Sequence, residues 1–400
     1  MKNLVILGAG TAGTLLANKL VKKLKDWNIV VVDRDDEHHY QPGYLFIPFE
    51  MYTPKQVVKR RGKYLPDGVE YVIDEAAAVD REARTVTLKS GRVLSWDQLI
   101  ITTGTEPRPE EVEGMVGGAD VHSFYTLESA TALAEKLKTF EKGRLLVQVC
   151  EMPIKCPVAP LEFALLAQDF MRKRKRDWEV EIVFVTPLDG AFTKPVASNK
   201  LGHLMADRGI KVVTDFQIES VGDHEILSFD GRSEKFDLLV TIPPNRGAKF
   251  LGDLGDDAGF VPVNKHTLQS DVDPDIWVVG DASNVPTSKA GSVVHFEVES
   301  FVPNFLAHLE GKDLPESFDG HANCFIESGR GEAMLLDFNY EQEPVTGVFP
   351  LSKVGPLKLL APSVINHVSK LAFEHVYWHM LIKGIPLPFP RDMPTAGKDL

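Results

Sequence analysis

The sequence predicts an α/β fold of two doubly wound domains with an appended C-terminal region. Three observations carry this. A short apolar run, residues 3–7, leads into Gly8-Ala9-Gly10-Thr11-Ala12-Gly13 and a helical stretch over residues 14–24. A second apolar run, residues 29–32, follows and ends in Asp33. The strand-then-helix pattern then begins afresh at Arg144-Leu145-Leu146-Val147-Gln148-Val149-Cys150. Short apolar runs separated by helices read as strands buried on both faces of a parallel sheet.

The first unit is a Rossmann-like dinucleotide site. Gly8 permits the tight turn, Gly10 lets the backbone approach a pyrophosphate, and Gly13 allows close packing of helix on strand. The helix N-terminus faces the negative charge. Asp33 lies about 20 residues on, where a ribose hydroxyl needs an acceptor. Thr11 and Ala12 within the loop, and Arg34 after Asp33, complete this set of candidate cofactor residues.

Two later segments bear on which dinucleotide is held. Gln98 to Thr105 is a strand running into the small-residue turn Thr103-Gly104. Ile276-Trp277-Val278-Val279 is a strand ending in Gly280-Asp281. In this order they resemble the two-dinucleotide-domain flavoprotein superfamily, in which the Gly-Asp aspartate binds the ribityl chain. The resemblance implies FAD, with Gly8, Gly10, Gly13, Asp33, Thr103, Gly104, Gly280 and Asp281 as contacts.

In that superfamily a second domain stands between the Thr103-Gly104 turn and the Gly280-Asp281 segment. Here its first strand is followed by Cys150-Glu151-Met152-Pro153-Ile154-Lys155-Cys156-Pro157, without a glycine. A nicotinamide site needs glycine there, because only glycine lets backbone approach a pyrophosphate. Glu151 would repel phosphate. The strand over residues 180–185 ends in Thr186-Pro187, with no acidic residue to hold a ribose. This domain is expected to keep the architecture and lack the dinucleotide.

The chain has three cysteines: Cys150, Cys156 and Cys324. Cys150, at a strand end, reads as an inert buried thiol. Cys156 follows Lys155 and precedes Pro157, a residue suited to the first turn of a helix. A helix N-terminus and a neighbouring cation are expected to lower its pKa and favour the thiolate. Cys324 lies beyond the Gly-Asp motif.

The Lys155-Cys156-Pro157-Val158-Ala159-Pro160-Leu161-Glu162 run, Cys324 before Ile326-Glu327-Ser328-Gly329, and Pro286-Thr287-Ser288-Lys289 resemble sulfide:quinone oxidoreductase over nearly the whole chain. The resemblance implies that Cys156 and Cys324 form a redox pair on one face of the flavin. They would take up sulfide, relay sulfane sulfur and reduce FAD, which passes electrons to a quinone. Lys155 would stabilise thiolate, and Pro42 and Lys289 would lie near the flavin. The pattern also departs from the family. Tyr125 stands where many members have a third cysteine, and Ser129 where they have a histidine, so FAD is expected to be non-covalent. Other readings stay open: a relative oxidising another sulfane or thiol donor, a type II NADH dehydrogenase-like flavoprotein, a sulfide dehydrogenase passing electrons to a haem protein, or a non-enzymatic redox flavoprotein binding a sulfur-carrier protein.

Net charge is −13, from 44 basic and 57 acidic residues in 400, which argues against nucleic acid. No metal-ligand set is read. No secretory leader and no stretch of about 18 apolar residues is apparent. The expectation is therefore a cytoplasmic protein, or one peripheral on the cytoplasmic membrane face, assembled as a homo-oligomer. Residues 363–383 have helical character and end in Tyr377-Trp378-His379-Met380. They read equally as a helix closing the fold over the flavin or as an interfacial anchor beside a quinone entrance. The domain expectation is FAD-binding segments 1–110 and 236–315, an inserted Rossmann-like domain 111–235, and a C-terminal redox and docking region 316–400.

Overall fold

The structure, a computed structural model, describes residues 1–350 and 355–399. Residues 351–354 and 400 of the expected C-terminal region lie outside it. The first sheet is five-stranded and parallel, in the order Ile276–Val278, Gln98–Ile101, Lys2–Leu7, Trp27–Asp33, Glu70–Ile73. Its central strands are apolar on both faces because helices cover both, so Leu4, Val5, Ile6, Leu99, Ile100 and Ile101 are all buried. Helix Thr11–Leu20 starts three residues earlier than the sequence indicates, directly at the glycine loop. Gly13 is required there: a Cβ on it would lie 1.9 Å from the Gly8 carbonyl oxygen.

The second sheet has the same architecture, in the order Val121–His122, Leu238–Ile242, Gly143–Val149, Val180–Val185, Lys211–Val213. Strand Leu238–Ile242 pairs in parallel with Gly143–Val149 near the middle of this sheet. The inserted domain therefore runs to about residue 242, and the expected boundary at 235/236 is corrected. A buried strand of either sheet has the same apolar signature, so sequence alone does not assign it to a sheet.

The C-terminal region forms a third sheet. Its antiparallel pair, Ala322–Gly329 and Glu332–Phe338, sets Cys324 opposite Leu336. Helix Ala159–Lys173 packs against strand Ala322–Gly329. The approach is close at Gly329, where a Cβ would lie 3.0 Å from the Leu165 carbonyl oxygen. Helix Val364–His379 lies across both strands of the pair. This packing brings the segment after Cys156 up to the strand that carries Cys324.

Candidate active site

At the cofactor cleft, the N-terminus of helix Thr11–Leu20 has no side-chain cap and no acidic residue in its first turn, so its orphan amides face the glycine loop. A Cβ at Gly10 or Gly104 would meet nothing within 4 Å, and the Thr103 hydroxyl is buried with no partner. These features fit a dinucleotide pyrophosphate lying against the loop. Ala12 is buried beneath Gly280, which adopts φ +83° and donates its N–H to Glu297 at 2.6 Å. Burial pushes the Asp281 carboxyl above its usual range, and Lys289 and then Lys155 pull it back. Lys289 is itself buried, its Nζ donating to the Asp281 and Ser283 carbonyls at 2.9 and 2.6 Å.

Asp33 is more heavily engaged than expected. It accepts from the Ala9 N–H at 2.6 Å and pairs with the buried Arg61 guanidinium at 2.6 Å, while burial raises its pKa. A ribose reaching Asp33 would share this carboxylate with Arg61, which the sequence did not single out. Arg34 points to Glu106 at 2.7 Å. Pro42 is exposed in the turn Gln41–Phe49, beside Gln41. Thr11 bonds Tyr377 of the C-terminal helix at 2.8 Å, and Tyr377 bonds the buried His38 at 2.7 Å.

All three cysteines are free thiols. Cys156 is half-buried in a turn, with φ +49°. Its N–H donates to the Lys289 carbonyl at 2.6 Å, which fastens the thiol loop to the cofactor cleft. Its carbonyl accepts from Ala159 N–H at 2.9 Å and from the Tyr125 hydroxyl at 3.3 Å. The helix begins only at Ala159, so Cys156 precedes its N-terminus.

The expected lowering of the Cys156 pKa is not found. Burial pushes the thiol up to about 11, a charge on Cys324 adds to the rise, and the cation that opposes it most is Lys370. Lys155 turns away, donating to Gln41 at 2.9 Å and standing 5.9 Å from the Tyr125 ring centre. Burial lowers the Lys155 ammonium to about 8, and the Asp281 charge opposes this. The sequence placed a cation next to Cys156 but could not give its side-chain direction. Cys324 is buried and pushed up to about 11 by that burial, with the Ser288 and Ser292 hydroxyls opposing. Cys150 is buried against Gln148 and Thr241 and is pushed up to about 12, as suits an inert thiol.

In the second domain Glu151 does not present a free negative charge. It accepts from Arg246, whose other nitrogen reaches Glu111 at 2.7 Å. A salt-bridged segment stands where a glycine loop would lie. Ser129, at the position of the family's histidine, completes a helix cap with Thr126, the two bonding reciprocally at 3.1 Å.

Two parallel-sheet units, a glycine loop, a Gly-Asp turn and two thiols beside it define a disulfide-oxidoreductase type of flavoprotein architecture. The chain belongs to the pyridine nucleotide-disulphide oxidoreductase family, whose model matches residues 2–295. Among curated proteins, it is 27% identical over 395 residues to the mitochondrial sulfide:quinone oxidoreductase of Dictyostelium discoideum, covering 95% of this chain and 86% of that protein. The mitochondrial sulfide:quinone oxidoreductase of Mus musculus is 23% identical over 393 residues, with the same coverage. Among solved structures, the sulfide:quinone oxidoreductase of Aquifex aeolicus superposes with a TM-score of 0.81 at 18% identity. That superposition covers 96% of this chain and 92% of the other.

Proposed function

We propose that the protein is an FAD-dependent oxidoreductase that oxidises sulfide through Cys156 and Cys324 and passes the electrons to a quinone. The observation that carries this reading is the convergence of the two thiol segments at the cofactor cleft. The Cys156 amide is bonded to Lys289, and Cys324 neighbours Ser288. Curated relatives named for this activity, matching 95% of the chain, support it. FAD, when bound, supplies a two-electron acceptor for the thiols. Gly8, Gly10, Thr11, Ala12, Gly13, Thr103, Gly104, Gly280 and Asp281 would hold it, and Asp33 with Arg61 would address its ribose. It is held non-covalently, because Tyr125 offers no thiol; acid precipitation should leave all the yellow flavin in the supernatant, and flavin retained by the precipitate would contradict this.

The protein works as a peripheral membrane enzyme. No helix among the described residues is long and apolar enough to cross a membrane. Helix Val364–His379, however, leaves Val364, Ile365 and Val368 59, 52 and 57% exposed, an apolar surface suited to an interface. The decisive experiment is anaerobic stopped-flow spectroscopy of the flavin with sulfide, followed by mixing with a short-chain quinone. Sulfide should bleach the flavin band and quinone should restore it. A flavin that sulfide leaves oxidised would defeat the reading.

A further inference from the structure

The exposed residues of helix Val364–His379 are Val364, Ile365, Val368, Ala372, His375 and His379. At 3.6 residues per turn they fall within an arc of about 100°. Asn366 and Tyr377 mark the opposite face, buried against the fold. The stripe is thus apolar over its first turns and ends in two histidines, with neither an acid nor a lysine on it. Lys383 is exposed one turn past His379, and Ile385 beyond it is 45% exposed.

The two histidines differ from those in the core. His38, His321 and His367 are each held by a hydrogen bond to a tyrosine or a carboxylate. The His375 and His379 rings meet each other, their centres 4.3 Å apart. The charges facing His379 are His375 and Glu374 on its own helix, Lys383 from the following turn, and Lys59 from the neighbouring strand Val58–Arg60. Lys59 sets its Nζ 4.3 Å over the Trp378 ring, which places it at this end of the helix. Desolvation and the three neighbouring cations hold His379 below its ordinary value, and Glu374 opposes them. The chain as a whole carries −13 and would repel an anionic partner. Screening confines each exposed charge to a reach of about 8–10 Å in physiological salt, so this basic cluster sets what the stripe attracts.

We propose that this stripe docks on an anionic phospholipid bilayer. Its apolar half enters the boundary between headgroups and acyl chains, and His375, His379, Lys59 and Lys383 meet the lipid phosphates. The proposal rests on the peripheral-membrane reading above and adds the lipid that the surface selects and its control by pH. Apolar area alone favours any bilayer; the basic end makes the helix prefer a negative one. With both histidines neutral, only the two lysines carry charge at this end. Protonated, His375 and His379 repel each other in the free protein, and lipid phosphates relieve that repulsion. Docking therefore takes up protons, and affinity for an anionic bilayer rises as pH falls below about 6.5. Two charges added at the surface strengthen binding by about tenfold.

Vesicles of phosphatidylcholine alone, or with about 30% phosphatidylglycerol, would be sedimented with the FAD-loaded protein at about pH 7.5 and 5.5. Wild type should bind the anionic vesicles about tenfold more strongly at the lower pH, and the neutral vesicles with little change. H375Q/H379Q should match wild type at the higher pH and lose the rise. K383Q should weaken binding to anionic vesicles at both pH values and keep the rise. These side chains are exposed, so each variant should retain its flavin at both pH values, which confirms that folded proteins are compared. A rise that survives in H375Q/H379Q, or equal affinity for both vesicle types, would overturn the proposal and leave the membrane contact standing. Wild type bound to neither vesicle at either pH would defeat the membrane contact as well.

Discussion

Cys156 holds a backbone position that side chains other than glycine rarely take. Its φ of +49° lies in the left-handed region, a conformation that costs on the order of 1–3 kcal/mol and persists only where neighbours enforce it. The Lys289 carbonyl, Ala159 amide and Tyr125 hydroxyl are those neighbours, all bonded to the Cys156 backbone. The side chain is thus left free for chemistry while its main chain is fixed. Cys156→Ala and Cys324→Ala should each abolish sulfide-dependent flavin reduction nearly as completely as the double substitution, because residues sharing one intermediate are not additive. Cys150→Ser should keep the rate within several-fold. Equal rates in Cys156→Ala and wild type, read by stopped-flow absorbance, would refute the pair. At this scale Cys156 and Cys324 were legible as candidates, since a local motif carries each one. Their electrostatics were not: Lys155 is adjacent in sequence but directed to Gln41, and Lys370 comes from a distant helix.

The C-terminal helix shows how one element answers two readings that its pattern left equal. Its Tyr377 and Trp378 are 2 and 1% exposed, packed at tilted and edge-on angles among His38, Tyr40 and Tyr64, so the aromatic end closes the fold and is not an interfacial belt. The exposed apolar residues are at the other end. Amphipathic spacing reports that a helix has two faces, but only packing reveals which residues the core takes. V364E/V368E should therefore weaken binding to liposomes and leave sulfide reduction of the flavin unchanged; co-sedimentation equal to wild type would sink the membrane contact. The same helix gives a pH dependence through His38, whose Nε2 bonds Tyr377 and whose pKa burial lowers to about 3. An unfolded histidine titrates near about 6.5, so below that pH the unfolded chain binds a proton that the fold excludes. Stability contributed by neutral His38 is present above about pH 6.5 and is lost as pH falls, by up to about 1.4 kcal/mol per pH unit. His38→Gln should flatten the fall in melting temperature between about pH 7 and 5 relative to wild type. A slope unchanged by the substitution would show that His38 is not excluded from protonation.

Across the whole molecule, two units of one architecture have diverged at the loop that follows the first strand. The first kept every feature of a dinucleotide cradle, from the uncapped helix N-terminus to the open space at Gly10. The glycine loop was legible because glycine spacing is a local signal with a backbone cause, whereas the Arg61 partner of Asp33, distant in sequence, was not. The second kept the parallel sheet, and its loss of the glycine loop was equally legible. How the gap is sealed was not, because Arg246 reaches Glu151 and Glu111 from a later part of the chain. A nicotinamide dinucleotide would need a glycine turn where Met152 and Pro153 now stand, Pro153 having no N–H to offer, and would have to break that ion-pair bridge. NADH and NADPH should therefore reduce the flavin at least about a hundredfold more slowly than sulfide, a difference of about 2.7 kcal/mol in barrier. Arg246→Ala alone should not restore the reaction, since it removes the bridge without supplying a pyrophosphate loop. It should instead loosen the Cys150 to Cys156 segment and lower the rate with sulfide. NADH bleaching the wild-type flavin band as fast as sulfide does would show that the second unit still binds a nicotinamide, and the cysteine pair would no longer be the only entry for electrons.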